Sequence, residues 1–196
     1  MFHDDVWRYL PIGPVPSMVL ALLGSAVLVY SALVASPRAR SLAVVTLVGT
    51  VLVVLMFTGR GALGNTDGEF SWSVGQSIKS EWNSINRSVG MVNVFGNVVM
   101  FVPVGWLVAV LVRGRFAGLV GTLAGLVLSV VIEVWQMLSG SFGDVDDLLL
   151  NSVGAAAGAI VATVLMQFRR AHRLSSAATA AEVERHASAA DTGVCR

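Results

Sequence analysis

The stretch FAGLVGTLAGLVLSVVIEVWQML, Phe116–Leu138, is followed closely by LLLNSVGAAAGAIVATVLMQF, Leu148–Phe168. Each run comes near the ~20 apolar residues that a helix needs to cross a bilayer. Each also carries polar groups at one end: Glu133 and Gln136 close the first run, and Asp144, Asp147 and Asn151 open the second. An acidic side chain at mid-membrane costs roughly 2.5–3.5 kcal/mol, and less near the interface, so these positions mark a packed interior or a functional cavity.

Working outward, three further apolar segments can be read, approximately Ser17–Ala35, Ser41–Thr58 and Val92–Val112. The whole chain is 55% hydrophobic and only 13% charged, with mean hydropathy +0.76. Soluble domains carry about 25% charged residues, so lipid must replace water over much of this surface. The expected fold is an all-α polytopic integral membrane bundle of about five transmembrane helices. Residues 1–170 form the transmembrane domain, and 171–196 a polar tail that reads as a frayed helix or a disordered segment.

Charge supplies the topology. Arg38 and Arg40 follow the first segment, Arg113 and Arg115 the third, and Arg169, Arg170 and Arg173 the fifth, whereas Asp144, Asp146 and Asp147 fall on the alternate side. Basic residues stay in the cytoplasm, so the expectation is a multi-pass membrane protein with its N-terminus outside and its C-terminus cytoplasmic. The first segment is preceded by two aspartates and followed by arginines, the reverse of a cleaved signal. A single cysteine, Cys195, excludes an internal disulfide. Because topology accounts for the basic residues, nucleic-acid binding has no support.

Between the second and third segments, Val74, Ile78, Trp82, Ile85 and Val89 recur at helical spacing with polar residues between them. This pattern predicts an amphipathic helix that lies on the outer membrane surface or folds over the mouth of the bundle. Within the spans, Gly118, Thr122, Gly125, Ser129, Glu133 and Gln136 form one stripe. Asp144, Asp147, Asn151, Gly154 and Gly158 form another, and the two stripes are expected to face each other. Asn93 and Asn97 add a third polar edge, and Pro103 predicts a kink. The candidate ligand-binding set is therefore Asn93, Asn97, Glu133, Gln136, Asp144, Asp147 and Asn151. Architectural readings stand beside it: Asn and Gln pair across helices, Asp144 and Asp147 cap a helix start, and Asp146, turned to another face, is a solvated acid.

These elements resemble the VanZ-like family of bacterial membrane proteins. The resemblance rests on NVFGNVVMFVPVG (Asn93 to Gly105), EVWQ (Glu133 to Gln136) and DVDDLLLNSVG (Asp144 to Gly154), within a motif core of 91–164. One position departs from the family pattern: Ser141 stands where relatives usually carry an arginine, and Arg60 and Arg87 are candidate substitutes. The resemblance implies a place in the bacterial cytoplasmic membrane and a cell-envelope role, because the family's namesake is associated with low-level resistance to the glycopeptide antibiotic teicoplanin.

The leading expectation is a non-enzymatic protein whose outward polar site binds a lipid-linked or amphiphilic molecule, without a cofactor. Its partners would be membrane lipids and either a lipid-linked cell-wall precursor or a glycopeptide. A metal-assisted enzyme acting on a lipid phosphate is one alternative, since Glu133, Asp144 and Asp147 are oxygen ligands suited to Mg²⁺. A small proton-coupled transporter working through Glu133 is another.

Overall fold

The structure is a computed structural model that describes residues 14–58, 70–83, 87–139 and 143–193. In chain order the elements are α1 (Pro14–Leu33), α2 (Pro37–Thr58), β1 (Phe70–Ser71), α3 (Gln76–Asn83), α4 (Arg87–Val112), α5 (Ala117–Leu138), β2 (Gly143–Asp144) and α6 (Val145–Gly193). The fold is all-α apart from one short bridge. Apolar stretches long enough to cross a membrane occur in α2, α4, α5 and α6. Helix α1 has 20 residues, but its qualifying apolar stretch among the described residues is only Leu23–Leu33.

The bundle is inverted relative to a soluble protein. Leu119, Leu123, Val127, Val131 and Leu138 on α5 and Val153, Ile160, Val164 and Phe168 on α6 point outward, while Ser129, Glu133 and Asn151 are buried. Water would not tolerate that arrangement, whereas hydrocarbon favours it, because lipid tails solvate Leu and Val as well as a protein interior does.

Small residues set the packing of α4, α5 and α6. A side-chain carbon placed on Gly154 would lie 2.1 Å from the Val98 carbonyl oxygen, and one on Gly158 would lie 2.0 Å from that of Val102. The Gly154–Gly158 pair therefore seats α6 on α4, not on α5. Helix α5 meets α6 through a neighbouring row, with Gly125 against the Ala155 methyl group and Ser129 against Asn151. The facing stripes are thus borne out for α5, while the glycines of α6 serve a different partner. Gly105 on α4 completes the junction, its α-carbon pressed against the Ala155 carbonyl and its own carbonyl against Gly121. With hydrophobic driving force absent between helices in lipid, such backbone proximity supplies the dispersion contact that holds them.

Of the amphipathic segment, Ile78 and Trp82 lie on α3 and Val89 on α4, while Ile85 lies outside the described residues. Ile78 is half-buried while Trp72, Val74 and Trp82 are exposed. The tail from Ala171 continues α6 as helix to Gly193, exposed along its described length. Helix α4 passes through Pro103 without interruption.

At one end of the bundle the chain reversals gather basic residues. Arg113, in the left-handed conformation at φ 48°, ends α4 and reaches across to α1, where its guanidinium donates to the carbonyls of Ser31 (2.6 Å) and Val34 (3.0 Å). Trp106 Nε1 donates to the Leu28 carbonyl at 3.0 Å, a second clip on α1. The opposite end holds the acidic residues.

Candidate functional site

The acidic end begins with β1 and β2, which pair in parallel with Phe70 opposite Gly143 and Ser71 opposite Asp144. This bridge draws the segment before α3 against the start of α6. Gly143 is buried at the junction, close to the Phe70 ring, Met137 and Glu133. Helix α3 is then fastened by Asp146, whose carboxylate accepts hydrogen bonds from the backbone amides of Gly75 (2.6 Å), Ser77 (3.0 Å) and, at longer range, Ile78 (3.4 Å). Gly75 adopts φ 80°, a conformation that favours glycine and turns its amide toward the carboxylate. An anion facing the unpaired amides at a helix start is favoured by both hydrogen bonding and the helix dipole.

Asp146 is therefore not a solvated acid. It is only 1% exposed and is the cap of a helix remote in sequence. Helical geometry does turn it away from Asp147, but the face it occupies is covered by α3. Asp144 stands beside it, with Oδ2 accepting from Ser77 Oγ and Oδ1 accepting from the Asp146 amide at 3.0 Å.

Beneath this latch the polar groups form two tiers. In the upper tier, Glu133 Oε2 accepts from the Asp144 amide at 2.8 Å, and Asn97 Nδ2 donates to Asp147 Oδ1 at 2.5 Å. Glu133 and Asn97 are buried, and Asp144 and Asp147 are half-buried. One helical turn deeper, Ser129 lies below Glu133 on α5 and Asn151 lies below Asp147 on α6. Asn151 Nδ2 donates to Ser129 Oγ at 2.9 Å. Asn151 Oδ1 is buried without a hydrogen-bond partner, a state that costs about 1–3 kcal/mol unless a ligand or water donates to it. One turn deeper than Asn97 and Asn151, respectively, stand the apolar Phe101 and Ala155, which pack in a cluster with Val54 and Ile132.

Of the seven candidate residues, Asn97, Glu133, Asp144, Asp147 and Asn151 thus converge from α4, α5 and the start of α6. Gln136 does not join them, because its Nε2 donates at 3.2 Å to the carbonyl of Thr58 on α2. Asn93 lies on α4, but its side chain is outside the described residues, as are Ser141, Arg60 and the side chain of Arg87. Among the described residues no group of three or more His, Cys, Asp or Glu side chains is placed to hold a metal ion. Sequence reasoning missed Asp146, Ser77 and Gly143. For Gly143 the available signal was a glycine immediately before the acidic motif.

An apolar exterior around a polar, small-residue interior defines a polytopic helical membrane protein. Within that class, the family described as VanZ/LLP1 matches residues 42–166, well over half of the chain. The chain belongs to the VanZ/LLP1 family. No curated protein and no solved structure matches it.

Proposed function

We propose that this chain is a non-enzymatic cell-envelope protein whose acidic end binds the polar head of a lipid-linked or amphiphilic molecule. The observation that carries this reading is the unpartnered Asn151 oxygen at the base of the two-tier column. A hydrogen-bond donor from a ligand would satisfy it, while Asn97, Glu133 and Asp147 above supply further polar contacts. The polar groups gather toward one end of the spans instead of their middle, which weighs against a transporter.

In this reading the bacterial cytoplasmic membrane holds five spans, α1 included. The arginine-bearing end is cytoplasmic and the acidic end faces outward, following the positive-inside rule. An outward site agrees with the family name's link to glycopeptide resistance, since glycopeptides act on lipid-linked cell-wall precursors outside the membrane.

The test is crosslinking of a photoreactive lipid-linked cell-wall precursor to the full chain in membranes. Labelling that depends on Asn97, Asp147 and Asn151 supports the proposal. Labelling unchanged by N97A, D147N and N151A, with all variants present at normal abundance, rejects it.

A further inference from the structure

The opposite end of the bundle holds an open cavity of about 740 Å³, in the range of small-molecule sites. Its walls carry five arginines: Arg113 and Arg115 from the α4–α5 turn, and Arg169, Arg170 and Arg173 from α6. Among the described residues no acidic side chain lines it. The positive-inside rule requires basic residues at this end but not their convergence from two elements on one cavity.

The arginines are held in ways that leave donors available. Arg113 uses Nε on the Val110 carbonyl and Nη2 on the Ser31 and Val34 carbonyls, so Nη1 keeps two of the five guanidinium N–H groups. Partial desolvation, then the nearby Arg40 charge, lowers its pKa from the ordinary arginine value. The Arg115 guanidinium sits 4.6 Å over the Phe116 ring, an arrangement that fixes its plane. Arg169 and Arg173 are four residues apart on one helical face, where like charges destabilise a helix unless an anion lies between them. Ala32, Met166 and Leu174 supply an apolar wall beside the guanidinium groups. Thr163 and Met166 belong to the apolar part of α6 and Arg173 lies beyond it, which sets the cavity at headgroup depth.

We propose that this cavity binds a phosphate group carried by an anionic molecule at the membrane surface, with guanidinium donors from the α4–α5 turn and α6 sharing its oxygens. Paired guanidinium–phosphate hydrogen bonds suit this donor set, and basic pockets between transmembrane helices take anionic headgroups in the same manner. The site is independent of the acidic end.

The test is native mass spectrometry of the full chain in detergent, titrated with phosphatidylglycerol, phosphatidylcholine or inorganic phosphate. Phosphatidylglycerol should bind roughly tenfold tighter than phosphatidylcholine. R169Q/R173Q should abolish that preference, whereas R38Q/R185Q, which removes equal charge at exposed positions outside the cavity, should keep it. Inorganic phosphate that binds alone and displaces the lipid would identify a free phosphate as the occupant; phosphate that does not compete would identify the lipid headgroup. Equal retention of both lipids without phosphate binding overturns the proposal, and so does equal loss in the two double variants. The ligand comparison on the unaltered chain stands even if R169Q/R173Q does not fold, and R115Q at the exposed turn then supplies the site-directed arm.

Discussion

The two ends of this bundle handle charge in opposite ways. At the acidic end the carboxylates of Glu133, Asp144, Asp146 and Asp147 are all engaged by donors within the chain, most of them backbone amides. At the basic end Arg113 is tied to the fold through several backbone bonds and lines an open cavity together with Arg115, Arg169, Arg170 and Arg173. Carboxylates accept from several amides at once and so stitch loops to helices, whereas guanidinium groups on long side chains sit at the rim in water or headgroups. A charged residue at the end of a span is therefore as often a fastener as a ligand contact, and hydrogen-bond partners distinguish the two.

That contrast breaks first at Asp146. Asp146→Ala leaves the amides of the half-buried Gly75 and Ser77 without an acceptor and should destabilise the acidic end by roughly 2–3 kcal/mol. The measurement is hydrogen exchange at residues 75–80, together with the thermal midpoint in detergent. Arg173→Ala at the other end should change stability by no more than about 0.5 kcal/mol. Equal losses in the two variants would erase the distinction. A smaller effect is expected at Glu133, where leucine removes the acceptor for the Asp144 amide at a cost of about 1–3 kcal/mol and glutamine, which keeps a carbonyl oxygen, should cost less than half as much. Identical midpoints for the two variants would make Glu133 a bystander.

Ser129→Ala sharpens the comparison one turn deeper. Loss of the partner of Asn151 Nδ2 should lower stability by about 1 kcal/mol, read as a shifted midpoint with unchanged exchange at α3. The smallest structural effect belongs to Asp147→Asn. It retains an oxygen for Asn97, so abundance and midpoint should stay within about 0.5 kcal/mol of the parent. If the acidic end binds a ligand through charge, any glycopeptide-tolerance phenotype should nevertheless disappear. Retained tolerance in that variant would reduce Asp147 to a helix cap.

Much of this architecture is legible in the sequence because it follows from local periodicity. The limits of α5 and the convergence of Asn97, Glu133, Asp147 and Asn151 come from spacing on single helices and from the alternation of loop charge. What is not legible depends on partners distant in the chain. The faces of Asp146 and Asp147 are correctly separated by helical geometry, yet only the position of α3 decides that the first is buried. Gln136 lies on the polar stripe of α5 but spends its amide on the carbonyl of Thr58, which α2 brings alongside. Likewise the G-x-x-x-G spacing of Gly154 and Gly158 announces close approach without naming which helix approaches.

The latch between α3 and α6 also has a consequence in time. Gly75 and the aspartate that receives its amide are 71 residues apart, and synthesis at about 5–20 residues per second separates their emergence by roughly 4–14 s. During that interval α3 has no cap and β1 has no neighbouring strand, so the whole segment waits at the membrane surface until the last span is delivered. Its exposed tryptophans, Trp72 and Trp82, are suited to hold it at the lipid boundary meanwhile. A chain halted after α5 would therefore present α3 to proteases, and release of α6 would remove it from their reach.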